Sequence, residues 1–232
     1  MKKEQYNKII GFLEEKLSDS PHDLDHVYRV LNLSKKLKKM ISESNNQIAI
    51  DEEVLYTAVL LHDIARVDED NDETGLTDHA QKGAIDARVF LESIKIDKNI
   101  IDRIVSCIKT HRYRKGASAE SIEAEILYDA DKLDAIGAIG VARSFGWIGK
   151  HNAKIYFVPD SIEEYLKENM NGDSKGIIKD KSKHSVQIEF EVKLKEMQKN
   201  LYTKEAKMIA EKRLRFFEEF LIKLHNEVIG IE

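Results

Sequence analysis

Four short stretches of this chain carry side chains able to hold a cation or move a proton. They are HDLDHVYRV at residues 22–30, the doublet His62-Asp63, THRYRK at residues 110–115 and YDADKLD at residues 128–134. The doublet ends an uncharged run, VLYTAVLL at residues 54–61, so an imidazole and a carboxylate follow a segment that should be buried. Such groups stay out of water only when something compensates them. The acids of the fourth stretch also sit among apolar neighbours, with Ile126 and Leu127 before them and Ile136 after.

His22 and His26 are one helical turn apart. On a helix His62 and Asp63 would diverge by about 100°. A cation lodged between packed helices could still take both, with His26 and one aspartate of Asp129–Asp134 completing the set. Nitrogen and oxygen donors without thiolates suit Mn, Fe, Co, Ni, Zn or Mg. The spacing matches none of the zinc-hydrolase signatures that place two histidines around a glutamate on one helix. A plainer account makes each histidine a satisfied core or surface residue, the aspartates caps or ion-pair partners, and His62-Asp63 a hydrogen-bonded pair at a helix end. Four segments that can meet in one bundle weigh against it, and the residues alone leave both accounts standing.

The elements that would position these groups read as helices. Tyr6, Ile9, Ile10 and Leu13 make one apolar stripe, and Val27, Val30, Leu31, Leu33 and Leu37 a second, with Asp23 as its expected cap. Asp51 should cap the helix carrying the apolar run. DEDNDETGLTD reads as a polar connection. Helices should follow through Ala80, Ala84, Ala87, Val89, Phe90 and Leu91, and over Lys98–Lys109. SIEAEILYDADKLDAIGAIGVARSF reads as one long helix loosened by Gly137 and Gly140. Residues 171–183 turn polar and Lys-rich, as a surface insertion would. An amphipathic pattern follows through Ile188, Phe190, Val192, Leu194 and Met197, and then a final helix capped by Thr203. The expectation is an all-α fold: a compact helical bundle over residues 1–150, with a C-terminal helical extension over residues 151–232 packed on it.

The bulk numbers narrow the class. With 232 residues the chain can bury a real core, and a net charge of −5 makes a nucleic-acid polymer a poor default partner. Nothing resembles a signal peptide or a membrane span. Cys107 is the only cysteine, so no intrachain disulfide exists, which fits a reducing cytoplasmic setting. A homodimer through the C-terminal helices is compatible with the pattern.

The ordered set of His26, His62-Asp63 and DADKLDAIGAIGVAR at residues 129–143 resembles the HD-domain superfamily of metal-dependent phosphohydrolases. HDLDHVYRV resembles the HDxxHxxRV opening of its bacterial branch. The likeness covers Pro21 to Phe145, and EFEVKLKEMQKNLYTKEAKMIAEKRLRFFEEFL is similar to that branch's C-terminal helices. The resemblance implies His26, His62, Asp63 and Asp131 as metal ligands, Asp131 being preferred to Asp129 because Lys132-Leu133 follows it. It leaves room for a second ion through His79 and His111, which otherwise would face the substrate phosphates or protonate a leaving group.

Hydrolysis of a phosphate ester or anhydride is the implied reaction. Asp63 would hold a water as well as the ion, and cationic groups would stabilise the phosphoryl oxygens. Lys132 heads those candidates, followed by Arg29, Arg66, Lys82, Lys109, Arg112 and Arg114. Tyr113, Phe145 or Trp147 could stack on a base, although packing is the commoner role of an aromatic. The expected substrate is a small phosphorylated metabolite, foremost a nucleoside triphosphate losing pyrophosphate or phosphate. Nucleoside monophosphate or cyclic nucleotide hydrolysis comes next, then a non-catalytic metal- or nucleotide-binding signalling module, then RNA hydrolysis.

Overall fold

The computed structural model describes residues 1–18, 21–112, 118–174 and 178–231, with the side chains of residues 21–23 outside that description. Every regular element among the described residues is helical, and no helix is long and apolar enough to cross a membrane. The chain divides into two compact units, Met1–Asp131 and Lys132–Glu232.

The first unit holds α1 (Lys3–Lys16), α2 (Pro21–Ser44), α3 (Glu52–Leu61), α4 (Arg66–Asp70), α5 (His79–Ser93), α6 (Lys98–Thr110) and most of α7 (Ile122–Leu133). Its centre is α3, which is apolar on every side: Val54, Leu55, Ala58, Val59, Leu60 and Leu61 have no exposed surface. A helix without a polar face must be covered all round. Here α1, α2 and α6 pack on it, and α5 packs on α6. Polar side chains set the helix starts. Asp51 accepts from the backbone N–H groups of Glu53 and Val54, Asp78 from Ala80 and Gln81, and Asp97 from Asn99. Proline starts α2 at a position where its missing N–H costs nothing, so Asp23 lies inside the helix rather than at its cap. Of the apolar residues along α5, Val89 is exposed, while its neighbour Phe90 stacks on Phe12 with ring centroids 4.0 Å apart.

The second unit holds the end of α7, α8 (Gly137–Lys150), α9 (Ile162–Asn169), α10 (Val186–Glu189) and α11 (Lys204–Val228). The stretch expected to form one long helix is two. Ile136 is extended and Gly137 takes φ +77°, a left-handed conformation that ends the helical path. Gly140 then allows the chain to turn tightly: a Cβ there would stand 2.3 Å from the Ala135 carbonyl oxygen. The pattern at residues 188–197 is also broken. It comprises α10, a π-helical turn at Phe190–Leu194 and a 3-10 turn at Met197–Asn200. The wide turn buries both Phe190 and Leu194, and Phe190 lies on Phe217 of α11 with ring centroids 5.2 Å apart. Thr203 caps α11 through the Ala206 N–H.

Candidate metal centre

The chemistry-bearing residues of the first unit gather at helix ends. His26 projects from α2. His62 closes α3 and Asp63 opens the turn before α4. His79 is the first residue of α5, His111 follows the last turn of α6, and Asp131 lies near the end of α7. Five helices therefore bring these residues to one place, where His62, His79 and His111 are all but inaccessible to water.

Two donor groups result, His26/His62/Asp131 and Asp63/His79/His111. In the first, His26 Nε2 stands 3.2 Å from Asp131 Oδ1, and the rings of His26 and His62 have centroids 5.5 Å apart. In the second, His79 Nε2 and His111 Nε2 lie 3.1 and 3.4 Å from Asp63 Oδ1. Asp63 joins the two. Its other oxygen, Oδ2, is 3.7 Å from His26 Nε2 and 3.6 Å from His62 Nε2.

The outer contacts fix the tautomers. His62 Nδ1 is 2.7 Å from the Val59 carbonyl, and His111 Nδ1 is 2.6 Å from the Ile108 carbonyl. A carbonyl only accepts, so both Nδ1 atoms carry protons. His79 Nδ1 meets Glu69 Oε2 at 2.6 Å. Burial opposes ionisation of Glu69, but His79 and Arg112 outweigh it and bring its carboxyl down to about 2. Glu69 is thus an acceptor as well, and Arg112 Nη1 secures it from 2.8 Å. With Nδ1 turned to these partners, the three rings direct Nε2 inward. His79 Nε2 and His111 Nε2 face each other at 3.2 Å, and His62 Nε2 is buried without a hydrogen-bond partner.

A cation set among these inward nitrogens and the Asp63 carboxylate would satisfy them together. Nitrogens each about 2.0–2.1 Å from a shared ion would lie roughly 3.0–3.4 Å apart. The spacing in the second group is of that size. Burial takes His62 down to about 4, against an opposing pull from Asp63, so the ring is neutral near pH 7 and open to a metal. For Asp63, burial favours the neutral acid, but the surrounding imidazoles prevail and hold its carboxyl well below the usual range. Imidazole and carboxylate donors, oriented from behind by carbonyls and a carboxylate, fit one or two divalent ions.

The cationic candidates are dispersed. Lys82 is held at 2.8 Å by both Asp68 and Asp86, and Arg66 lies beside Glu69 and Asp70 at 3.5 and 3.4 Å. Arg112 serves Glu69. Arg29 is half-buried on α2, one turn from His26, while Lys109 is exposed on α6. Lys132 is half-buried next to Asp131 in α7. Tyr113 and Arg114 lie outside the described residues. Phe145 packs edge-on against Phe220, and Trp147 lies tilted on His151 and edge-on to His184.

Glu69 lies within the stretch expected to be a polar connection and is not among the residues the sequence singles out. The sequence also leaves unmarked a polar chain in the second unit. Asn169 donates to the Tyr165 hydroxyl at 2.8 Å, that hydroxyl meets His184 Nδ1 at 2.8 Å, and His184 Nε2 donates to Glu189 at 2.9 Å. Lys193 adds a 3.2 Å pair to Glu189. His184, Glu189 and Lys193 line a cavity of about 240 Å³ with Arg143, Ser144 and Trp147. No motif marks these residues, since only the fold brings α8 and α9 to the 184–193 segment.

The family model described as "HD domain" matches residues 23–136. The chain is 28% identical to the protein YpgQ of Bacillus subtilis, over 98% of this chain and 96% of that one. A crystal structure of an HD-superfamily hydrolase from Bacillus thuringiensis is similar at 25% identity, with 98% of each chain covered and a TM-score of 0.68. The crystal structure of B. subtilis YpgQ in complex with ADP shares the fold at 24% identity and a TM-score of 0.66, covering 97% of this chain and 95% of that one.

Proposed function

We propose that this chain, whose residues 23–136 match the HD-domain family model, is a divalent-metal-dependent phosphohydrolase acting on a nucleotide, with release of pyrophosphate from a nucleoside triphosphate as its leading reaction. One observation carries the reading. A single carboxylate, Asp63, offers one oxygen to His26 and His62 and the other to His79 and His111, while the imidazole N–H groups of His62, His79 and His111 are all directed outward to acceptors. That arrangement supports a site for one or two cations over a simple salt-bridge cluster.

In this reading His26, His62 and Asp131 would hold one ion, and Asp63, His79 and His111 would hold a second. Bound ions supply a Lewis acid for the phosphoryl oxygens and lower the pKa of water. The protein's own groups do the rest. Val59 and Ile108 carbonyls and Glu69 lock the ring orientations, and Arg112 locks Glu69. Lys132, adjacent in sequence to Asp131, is the cation we assign to the substrate phosphates. His79 and His111 act as ligands rather than as proton donors, since their only free nitrogens face Asp63. The ADP held by the related B. subtilis protein supports a nucleotide substrate. Nucleoside monophosphate and cyclic nucleotide hydrolysis are the second reading.

The test is incubation of metal-depleted protein, reloaded with Mn, Mg, Co, Ni, Fe or Zn, with nucleoside tri-, mono- and cyclic phosphates. Pyrophosphate plus nucleoside monophosphate is the expected product pair. Orthophosphate alone would move the assignment to a phosphatase, and absence of turnover with every metal would leave a non-catalytic binding module.

A further inference from the structure

Within the second unit, α8 turns one helical face, residues 140, 143, 144, 147 and 148, to the 184–194 segment, and the two enclose the cavity of about 240 Å³. A face that only packs would be apolar. This one carries Arg143, Ser144 and Trp147, with Glu189 and Lys193 on the other wall. The space is below the roughly 300–1,000 Å³ of a drug- or cofactor-sized site, so its ligand is smaller than a nucleotide. The polar groups are fixed and still accessible. Asp134 pins Arg143 Nη1 at 2.6 Å, yet 47% of the Arg143 side chain stays exposed. Lys193 pairs with Glu189 at 3.2 Å and stays 32% exposed. Glu189 Oε2 takes both the His184 N–H and Lys193. The Ser144 hydroxyl and the Trp147 indole N–H are half-buried and meet no acceptor among the described residues. Donors therefore outnumber acceptors at the wall.

We propose that this cavity binds a small monocarboxylate, its oxygens taken by Arg143, Ser144 and Lys193 and its apolar body laid against Trp147, Ile148 and Leu194. A carboxylate can accept from a guanidinium, a hydroxyl and an ammonium together. Its charge also matches the site. Arg143 and Lys193 against Glu189 leave one positive charge in excess, and behind the wall Asp134 and Arg213 offset each other. Inorganic phosphate carries more than one negative charge near pH 7 and has no apolar body, so Glu189 would disfavour it. This ligand differs in kind from the nucleotide assigned to the metal centre, and the inference does not rest on that assignment.

The experiment titrates the full chain with isovalerate, in EDTA so that the metal centre contributes nothing. The emission of Trp147, the only tryptophan, reports on the cavity, and isothermal titration reads the same binding. Saturable binding of isovalerate is expected, with isovaleramide and inorganic phosphate each at least tenfold weaker. Ser144→Ala should weaken isovalerate several-fold at an unchanged melting temperature, because the fold loses no hydrogen bond. Lys193→Met should weaken it at least tenfold, while Glu189 keeps His184 as its partner. No saturable binding of isovalerate up to tens of millimolar, equal affinity for the amide or for phosphate, or wild-type affinity in either variant would each overturn the proposal. None of these outcomes bears on the turnover assay, which reads the metal centre separately.

Discussion

Asp63→Asn is the substitution on which the two-ion reading turns. The carboxylate lies within 3.1–3.7 Å of four imidazole nitrogens, two on each oxygen. Asparagine keeps the shape but has one oxygen and an amide that donates. The apo protein should tolerate it, because the new N–H groups can donate to Nε2 lone pairs and no carboxylate remains to be buried. Its melting temperature in chelator should stay within a few degrees of wild type. The metal-dependent part should be lost. An ion at a thousandfold excess over its Kd stabilises the folded chain by about 4 kcal/mol. In a chain of 232 residues, 1 kcal/mol moves the melting temperature by about 2–4 °C. Adding Mn to chelated wild-type protein should therefore raise the melting temperature by about 8–16 °C for each ion, and Asp63→Asn should show almost none of that rise. Scanning fluorimetry with and without Mn, alongside elemental analysis, measures both quantities. A variant that still binds two equivalents and keeps the wild-type shift would refute the bridging role of Asp63.

Four further outcomes follow from the geometry. Glu69→Gln should weaken the second ion by about 10–100-fold and leave the first in place, because it frees the His79 ring; metal titration by calorimetry reads the two steps. For chelated protein, His62 is held near 4 when folded, against 6.5 in the open chain. The unfolded state then binds the extra proton between those values, so stability is full above pH 6.5 and falls by about 3 kcal/mol as pH drops toward 4; urea midpoints at pH 7 and 4.5 should show this, and His62→Gln should flatten the slope. Burial pushes the Cys107 thiol up to about 12, so a thiol reagent at pH 8 should label it only in denaturant, as mass spectrometry can follow. Gly140→Ala should destabilise the fold by about 1–3 kcal/mol or more in denaturant melts, because the new methyl would overlap the Ala135 carbonyl.

Local rules reached far along this chain. Asp51 and Thr203 cap where a short polar side chain precedes an apolar periodicity, since capping needs only neighbours in sequence. The helical class and the burial of α3 followed from residue type alone. The break between α7 and α8 did not: glycines and alanines tolerate a helix as well as a turn, and the close approach of residue 140 to the Ala135 carbonyl chose the turn. The same division holds at the metal centre. The sequence supplied the donor types and singled out His26, His62, Asp63 and Asp131, but residues 129 and 131 point about 200° apart on a helix, so only packing decides which one reaches His26. Packing also decided that His79 and His111 meet on the far oxygen of Asp63, with Glu69 behind them. A carboxylate has two oxygens in every sequence; what each one faces depends on where four helix ends come to rest.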